Sequence, residues 1–148
     1  MEKTDFSTTI LVDQTPDEVF EAIIEPRKWW SGDFNGNTKE LGAEFTYNYR
    51  DIHCTTQKVT ELVPGQKVVW LVTDSQLNFL EDKQEWKGTE MIFQITPRSG
   101  QTALKFTHVG IHPGVECYDA CSGAWGMLIR QSLHNLIATG KSDKPDLT

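Results

Sequence analysis

Alternation of apolar and polar positions along the chain predicts a set of antiparallel strands. Residues 6–12 alternate with period two and are rich in β-branched side chains, which is typical of a strand with one buried face. The same alternation recurs in five later segments: 45–49, 53–63, 68–72, 89–95 and 102–108. Turn-forming residues at Pro64-Gly65 and 97–100 separate neighbouring strands, and the polar stretch 74–85 is predicted to connect two more.

A short helix is predicted directly after the first strand. Thr15 is a favourable N-cap, Pro16 suits the first helical position, and Glu18 completes a capping box. An apolar stripe over residues 19–24 follows. Pro26 then ends the helix, because the residue before a proline disfavours the helical conformation.

A longer helix with one apolar face is predicted near the end of the chain. The chain between the two helices starts with a loop over 26–43, which has room for one further helical turn. Gly140 is a natural C-cap for the long helix, and the polar tail 141–148 is expected to be loose. The apolar face recurs at helical spacing, with Trp125, Leu128, Ile129, Ser132, Leu133, Leu136 and Ile137.

These elements together predict an α+β fold in which a curved antiparallel sheet wraps around the C-terminal helix. A sheet with one polar face must cover its other face, and the C-terminal helix is the element long enough to do so. A straight helix cannot fill a strongly curved sheet completely, so an internal cavity is expected between them. We expect residues 1–148 to form one domain with a core over about 5–140, since domains commonly contain ~100–150 residues.

Composition and charge narrow the classes of partner. The 148 residues carry a net charge of −7, and no dense cluster of Lys and Arg occurs, so nucleic acid is not an expected partner. No apolar run is long enough for a membrane span, and the charged N-terminus is unlike a secretory signal. We therefore expect a cytoplasmic protein, either a monomer or a homodimer.

Few residues in the sequence are arranged to bind a cofactor or to catalyse a reaction. Three cysteines cannot all pair, so reduced thiols are the simplest interpretation. The spacings His108/His112 and Cys117/Cys121 superficially suit zinc, but they fall on a strand end, a turn and a helix start rather than on a converging knuckle. No phosphate-binding loop and no nucleophile elbow occurs. We predict no metal, no cofactor and no catalytic residue, with enzyme activity left uncertain.

Several segments resemble the START-like, or SRPBCC, superfamily. In order along the chain they are Ile10-Leu11-Val12, Thr15-Pro16-x-Glu18-Val19-Phe20, Glu85-Trp86-x-Gly88-Thr89, Thr107-His108-x-Gly110 and Gly123-x-Trp125. The last three of these segments, with the final helix, are similar to one branch, which is named after the C-terminal domain of the activator of the ninety-kilodalton heat-shock protein ATPase. The resemblance implies a helix-grip fold like that of the birch-pollen allergen, with six or seven strands. The co-chaperone that names the branch has a separate N-terminal domain, which we expect this chain to lack.

Our main functional hypothesis is that the cavity binds a small, mostly hydrophobic ligand, either lipid-like or aromatic. Two alternatives stay open: a chaperone-interaction module, which the family name suggests, and a polyketide cyclase or hydrolase that uses His108 with a tyrosine. For each aromatic residue the competing interpretation is ordinary core packing, and for His108 it is a histidine held by a backbone carbonyl. The predicted ligand-binding residues are Trp29, Trp30, Tyr47, Trp70, Phe93, Phe106, His108, Trp125, Leu128 and Ile129.

Overall fold

A curved antiparallel sheet forms the body of the protein. The computed structural model describes residues 5–50, 52–78, 80–81, 83–116 and 118–141. Within these residues, seven strands pair in the order β1-β7-β6-β5-β4-β3-β2. They are β1 Phe6–Val12, β2 Asp33–Gly36, β3 Glu44–Tyr49, β4 His53–Val63, β5 Lys67–Leu77, β6 Glu90–Arg98 and β7 Gln101–Val109.

Helices cover the concave face of this sheet. Helix α1 is Pro16–Ile23, and a single 3₁₀ turn follows at Pro26–Lys28. The C-terminal helix begins as α2, Tyr118–Met127, continues as a π-helical segment, Leu128–Leu133, and ends as α3, His134–Thr139. The predicted α+β helix-grip fold is therefore confirmed.

The start of α1 and the end of the C-terminal helix are formed as their sequences predict. The Thr15 hydroxyl accepts from the Glu18 backbone N–H, and the Glu18 carboxylate accepts from the Thr15 backbone N–H, each at 3.2 Å. Gly140 ends α3 with φ of 80°, a left-handed conformation that glycine adopts without steric cost.

The core lies between the concave face of the sheet and the two helices. Strand β1 pairs with β7, with Phe6 opposite His108, so the first and last strands are neighbours. This pairing brings α1 and the C-terminal helix over the same face. Fully buried residues come from all the layers: Val19 and Ile23 of α1, Phe93 and Leu104 of the sheet, and Ile129 and Leu133 of the C-terminal helix.

Two segments differ from the sequence expectation. Strand β5 continues to Leu77, through residues predicted to be a connection, because Ser75 and Leu77 pair with the start of β4 and point into the core. Strand β2 lies inside the predicted loop, where it pairs with β3. It has four residues and a mostly exposed pattern, which is too short for periodicity to reveal. The extra helical turn allowed for in that loop is present at Pro26–Lys28.

The cysteines also differ from expectation. Cys54 is free and exposed, whereas Cys121 is disulfide-bonded, so the expectation of three reduced thiols was wrong. Cys117 lies outside the described residues, as does the predicted loose tail beyond Lys141. None of the helices in the described part of the chain is long and apolar enough to span a membrane.

Candidate functional site

A cavity of ≈ 260 Å³ lies beneath the first turns of the C-terminal helix. Its floor comes from β3 and the start of β4, and the loop before β6 supplies one side. The lining residues are Trp30, Tyr47, Tyr49, Ile52, His53, Trp86, Ala120, Cys121, Ala124, Trp125 and Leu128. The predicted hollow between sheet and helix is therefore present, at one end of the interface.

The wall of the cavity consists largely of aromatic rings packed on one another. Trp30 stacks on Tyr47 with ring centroids 4.3 Å apart, and Trp86 stacks on Trp125 at 6.0 Å. Trp30 also meets Trp125 at 5.0 Å, so the two stacks join across the cavity wall. Such ring pairs add to the free energy gained by burying the area and restrict rotation, which gives the cavity a stiff outline.

The loop after α1 positions Trp30 in this wall. The Trp30 backbone N–H donates to the Pro26 carbonyl at 2.7 Å, which holds the loop in its helical turn. Two residues later, Gly32 has φ of 131°, and a Cβ atom there would lie 2.5 Å from the Tyr47 ring. Glycine is therefore required for the loop to approach Tyr47 closely.

The Tyr47 hydroxyl already has a hydrogen-bond partner inside the protein. It donates a short hydrogen bond to the Ser31 carbonyl, and both residues are buried. Burial raises the pKa of Tyr47 well above its usual range, so the phenol stays neutral. Tyr47 therefore contributes its ring to the cavity, while its hydroxyl fastens the loop.

His108 lies behind the cavity wall, and both of its ring nitrogens take part in a chain of hydrogen bonds. The Trp125 indole N–H donates to His108 Nδ1 at 3.0 Å, so Nδ1 is the acceptor and the proton must lie on Nε2. Nε2 then donates to the Thr89 hydroxyl at 2.9 Å, and that hydroxyl donates to the Trp86 carbonyl at 2.6 Å. The chain joins β7, the loop before β6 and α2. It also fixes the Trp125 indole, one of the rings of the wall.

Both histidines near the cavity are uncharged at neutral pH. Burial lowers the pKa of His108 to about 3, with a smaller contribution from the nearby His53. Burial also lowers the pKa of His53, which lines the cavity, to about 3. The rings of His53 and His108 meet the Trp86 ring edge to face, at 4.5 Å and 4.7 Å between centroids. The described lining residues include no Asp, Glu, Lys or Arg, so the cavity offers no formal charge.

The opening of the cavity lies beside the start of the C-terminal helix. Among the lining residues, Ala120 is exposed, and Ile52 and Ala124 are partly exposed. The indoles of Trp30 and Trp125 are buried at the other side. Small side chains on α2 therefore leave an entrance, and aromatic residues close the inner end.

The structure divides the predicted site residues into two groups. Trp30, Tyr47, Trp125 and Leu128 lie in the cavity wall. The others are buried outside its lining, namely Trp29, Trp70, Phe93, Phe106, His108 and Ile129. Trp29, for example, donates from its indole to the Ala22 carbonyl at 3.1 Å and fastens the loop to α1. That any of these ten residues contacts a ligand stays a prediction.

Sequence reasoning left several lining residues out of the predicted set. Tyr49 carried a signal, because it shares the alternating face of Tyr47 on β3. Trp86 carried a signal as one of the aromatic residues considered for a cavity wall, but it lies in an irregular loop, where no periodicity shows the direction of its side chain. His53 had no signal, since it begins a strand directly opposite Tyr49. Only the pairing of β3 with β4 brings His53 to the cavity.

In each pair with metal-like spacing, at least one residue has another bonding partner. Within the described parts of the chain, no group of three or more His, Cys, Asp or Glu side chains is arranged to hold an ion. His108 uses both ring nitrogens in hydrogen bonds, and Cys121 is disulfide-bonded.

The curved sheet, the long helix that it grips and the aromatic cavity between them define a START-like helix-grip domain. Residues 13–138 match the family described as "Activator of Hsp90 ATPase homolog 1-like protein". The chain belongs to this family, as the sequence segments predicted.

Solved structures with the same fold cover nearly the whole chain. The Aha1 dimer of Colwellia psychrerythraea is 24% identical, with a TM-score of 0.76 over 94% of this chain and 99% of that chain. Protein SSP2350 of Staphylococcus saprophyticus is 16% identical, with a TM-score of 0.71 over 98% and 100%. CalU16 of Micromonospora echinospora is 16% identical, with a TM-score of 0.64 over 96% and 78%. These similarities support the fold. A search of curated protein sequences found no match.

Proposed function

We propose that this protein binds a small, mostly hydrophobic molecule in the cavity between the sheet and the C-terminal helix. The observation that carries the proposal is the ≈ 260 Å³ cavity, which is walled by aromatic side chains and has no charged residue among its described lining residues. Burying apolar ligand surface there contributes about 25 cal/mol per Å² removed from water. A concave, mostly apolar pocket with few polar groups is also the usual form of a small-molecule site.

A cavity-filling substitution tests the proposal. Ala124 lines the cavity from α2, and a phenylalanine side chain there would occupy the ligand's space. Ala138 lies on α3 of the same helix and is exposed, so Ala138→Phe makes the same chemical change away from the cavity. We expect Ala124→Phe to weaken binding by about 10-fold or more, and Ala138→Phe to leave it unchanged.

The measurement is native mass spectrometry and calorimetry against a panel of lipids, flavonoids and aromatic polyketides, with circular dichroism to verify the fold of each variant. Binding that survives in Ala124→Phe would place the ligand elsewhere. If no class of compound binds to the unmodified protein, the proposal fails.

Family membership favours a second candidate, a module that acts on a chaperone ATPase. The supporting observation is the family match over residues 13–138. Adding the purified protein to an Hsp90 ATPase assay tests it, and an unchanged rate counts against it. Because the cavity variant Ala124→Phe changes no exposed charge, a chaperone effect through the surface should survive this substitution.

The structure gives less support to an enzyme that uses His108 as its base. Both nitrogens of His108 are occupied, by Thr89 and Trp125, and the Tyr47 hydroxyl is occupied by Ser31. A general base needs a nitrogen that can reach the substrate proton. We therefore propose that His108 holds the Trp125 indole in place in the cavity wall.

A further inference from the structure

We infer that the ligand is an uncharged, rigid aromatic molecule of about two fused rings, rather than a fatty acyl chain or an organic ion. The inference rests on the proposed function and deepens it, because it concerns the chemistry of the same cavity. Three independent properties of the site carry it: volume, charge and the stiffness of its walls.

The volume sets the size of the ligand. An apolar cavity of roughly 150 Å³ takes up a single benzene molecule. The cavity here, at ≈ 260 Å³, is larger by somewhat less than a factor of two. Pockets for drug-sized ligands begin at about 300 Å³. One two-ring molecule therefore fits, whereas a lipid with two acyl chains does not.

The absence of charge in the lining excludes ions of either sign. An anion would be buried without a counter-charge, since His53 is neutral and the described lining holds no Lys or Arg. Two carboxylates lie close in sequence to lining residues. Glu85 and Glu116, on the loops beside Trp86 and before α2, are joined by a hydrogen bond from the Glu116 backbone N–H to Glu85 Oε2 at 3.1 Å. The Arg50 guanidinium lies 5.2 Å from the centre of the Tyr49 ring but is outside the lining, so the described lining residues supply no counter-charge.

Several of the ring faces that could attract an organic cation are already occupied. Cation–π attraction acts over the face of an aromatic ring. In this cavity Trp30 and Tyr47 turn one face to each other, as do Trp86 and Trp125. The Arg50 guanidinium already lies over the Tyr49 ring, 5.2 Å from its centre. The edges of aromatic rings are positive, so they favour the π-face of a neutral aromatic ligand in an edge-to-face contact.

The stiffness of the wall favours a rigid ligand. Trp125 is fixed by His108, and Tyr47 is fixed by Ser31, so the wall cannot adapt to a flexible chain. An acyl chain also loses the freedom of its rotatable bonds when it binds, whereas a fused ring system has none to lose. At equal carbon number, the aromatic ligand should therefore bind more tightly.

Two matched pairs of ligands and one cation test the inference by calorimetry at about pH 7.5, where a carboxylic acid is ionised. Naphthalene and decalin share ten carbons but differ in aromaticity. We expect naphthalene to bind about 10-fold more tightly, because its contacts with several rings each strengthen binding a few-fold. The amide 2-naphthamide and the acid 2-naphthoate have the same shape but differ in charge. We expect 2-naphthoate to bind about 100-fold more weakly, and tetraethylammonium not to bind.

Nuclear magnetic resonance locates the binding. Naphthalene should shift the indole N–H signals of Trp86 and Trp125 in the unmodified protein and in Ala138→Phe, and it should shift neither in Ala124→Phe. Equal affinity for decalin would overturn the aromatic preference, and equal affinity for 2-naphthoate or binding of tetraethylammonium would overturn the preference for a neutral ligand. In all three cases cavity binding itself would stand. Failure of every compound to bind would instead refute the proposed function.

Discussion

At the scale of single residues, the hydrogen-bond chain through His108 explains how polar groups are accommodated in an apolar interior. His108 is fully buried, and such a group costs free energy unless each polar atom has a partner. Thr89 and Trp125 supply these partners from two other elements. Sequence reasoning offered three roles for His108: a ligand contact, an acid–base in catalysis, or a histidine held by a backbone carbonyl. The actual partners are side chains far away in the chain, which a strand pattern cannot show.

Removing the Thr89 hydroxyl should destabilise the protein. Thr89→Val leaves the Nε2–H of His108 buried without an acceptor, while the side chain keeps nearly the same volume. We expect a loss of about 1–3 kcal/mol in the free energy of unfolding, measured by urea denaturation. Thr89→Ser keeps the hydroxyl and should lose less. Equal losses in both variants would show that the methyl group, and not the hydrogen bond, is responsible.

The two buried histidines should make stability depend on pH. Their folded pKa values of about 3 lie below the ordinary 6.5, so the unfolded chain binds more protons between these values. The stabilising contribution is therefore complete above about pH 6.5 and is lost as the pH falls toward 3. Between about pH 6 and 5, the free energy of unfolding should fall by up to about 2.7 kcal/mol per pH unit for two histidines.

Urea denaturation at several pH values between these limits measures this slope, in a range where most carboxylates are already ionised. A flat stability from pH 6.5 to 5 would contradict the neutral, buried state of both histidines.

At the scale of elements, local signals predicted helix α1 well and strand β5 poorly. The capping box, the proline at the start and the apolar stripe of α1 are all local, and each is present in the structure. Strand β5 was expected to end near Val72, because the stretch 74–85 that follows is polar. It continues because β4 is long enough to pair with it, which is a property of the neighbouring strand and not of β5 itself.

The contribution of the α1 capping box to stability can be tested by substitution. Thr15 is exposed, and its main interaction is with Glu18. Thr15→Ala should reduce the free energy of unfolding by about 0.5–2 kcal/mol, as measured by urea denaturation. Thr15→Ser retains the hydroxyl and should be close to the unmodified protein. An unaffected Thr15→Ala protein would mean that tertiary packing of Val19 and Ile23 alone holds the first turn.

At the scale of the whole molecule, the C-terminal helix fills the sheet at one end and leaves it open at the other. The buried Ile129, Leu133 and Ile137 complete the core beside α1 and β1. Nearer the start of the helix, Ala120 and Ala124 are too small to reach the floor of the sheet, and the cavity lies there. The cavity therefore lies where the C-terminal helix places small side chains over the sheet.

A hydrogen bond between the helix and the loop should control the shape of this cavity. Ser132 is fully buried in the π-helical segment and donates to the Trp29 carbonyl at 2.6 Å. Ser132→Ala removes the hydrogen bond that ties the helix to the loop, and this loop carries both Trp30 and Ser31, the partner of Tyr47. We expect a loss of about 1–3 kcal/mol in the free energy of unfolding, together with several-fold weaker ligand binding by calorimetry.

The matched control is Ser122→Ala, on the same helix, where the hydroxyl is partly exposed and bonds within its own turn. This variant should retain both properties. If Ser132→Ala lowers stability but leaves ligand affinity unchanged, the loop keeps its position without the bond.

Apart from strand β2 and the end of β5, the sequence by itself determined the elements, their order and the face that each one buries, because capping, periodicity and turn composition act over a few neighbouring residues. It also predicted that a hollow would lie under the C-terminal helix. Only the tertiary structure decided which aromatic residues line that hollow. Trp29, Trp70 and Phe93 have the same apolar character as Trp30 and Trp86, yet they fill the core beside it. Strand register, a glycine that permits close approach and hydrogen bonds between distant residues make this distinction, and none of these is visible in a local pattern.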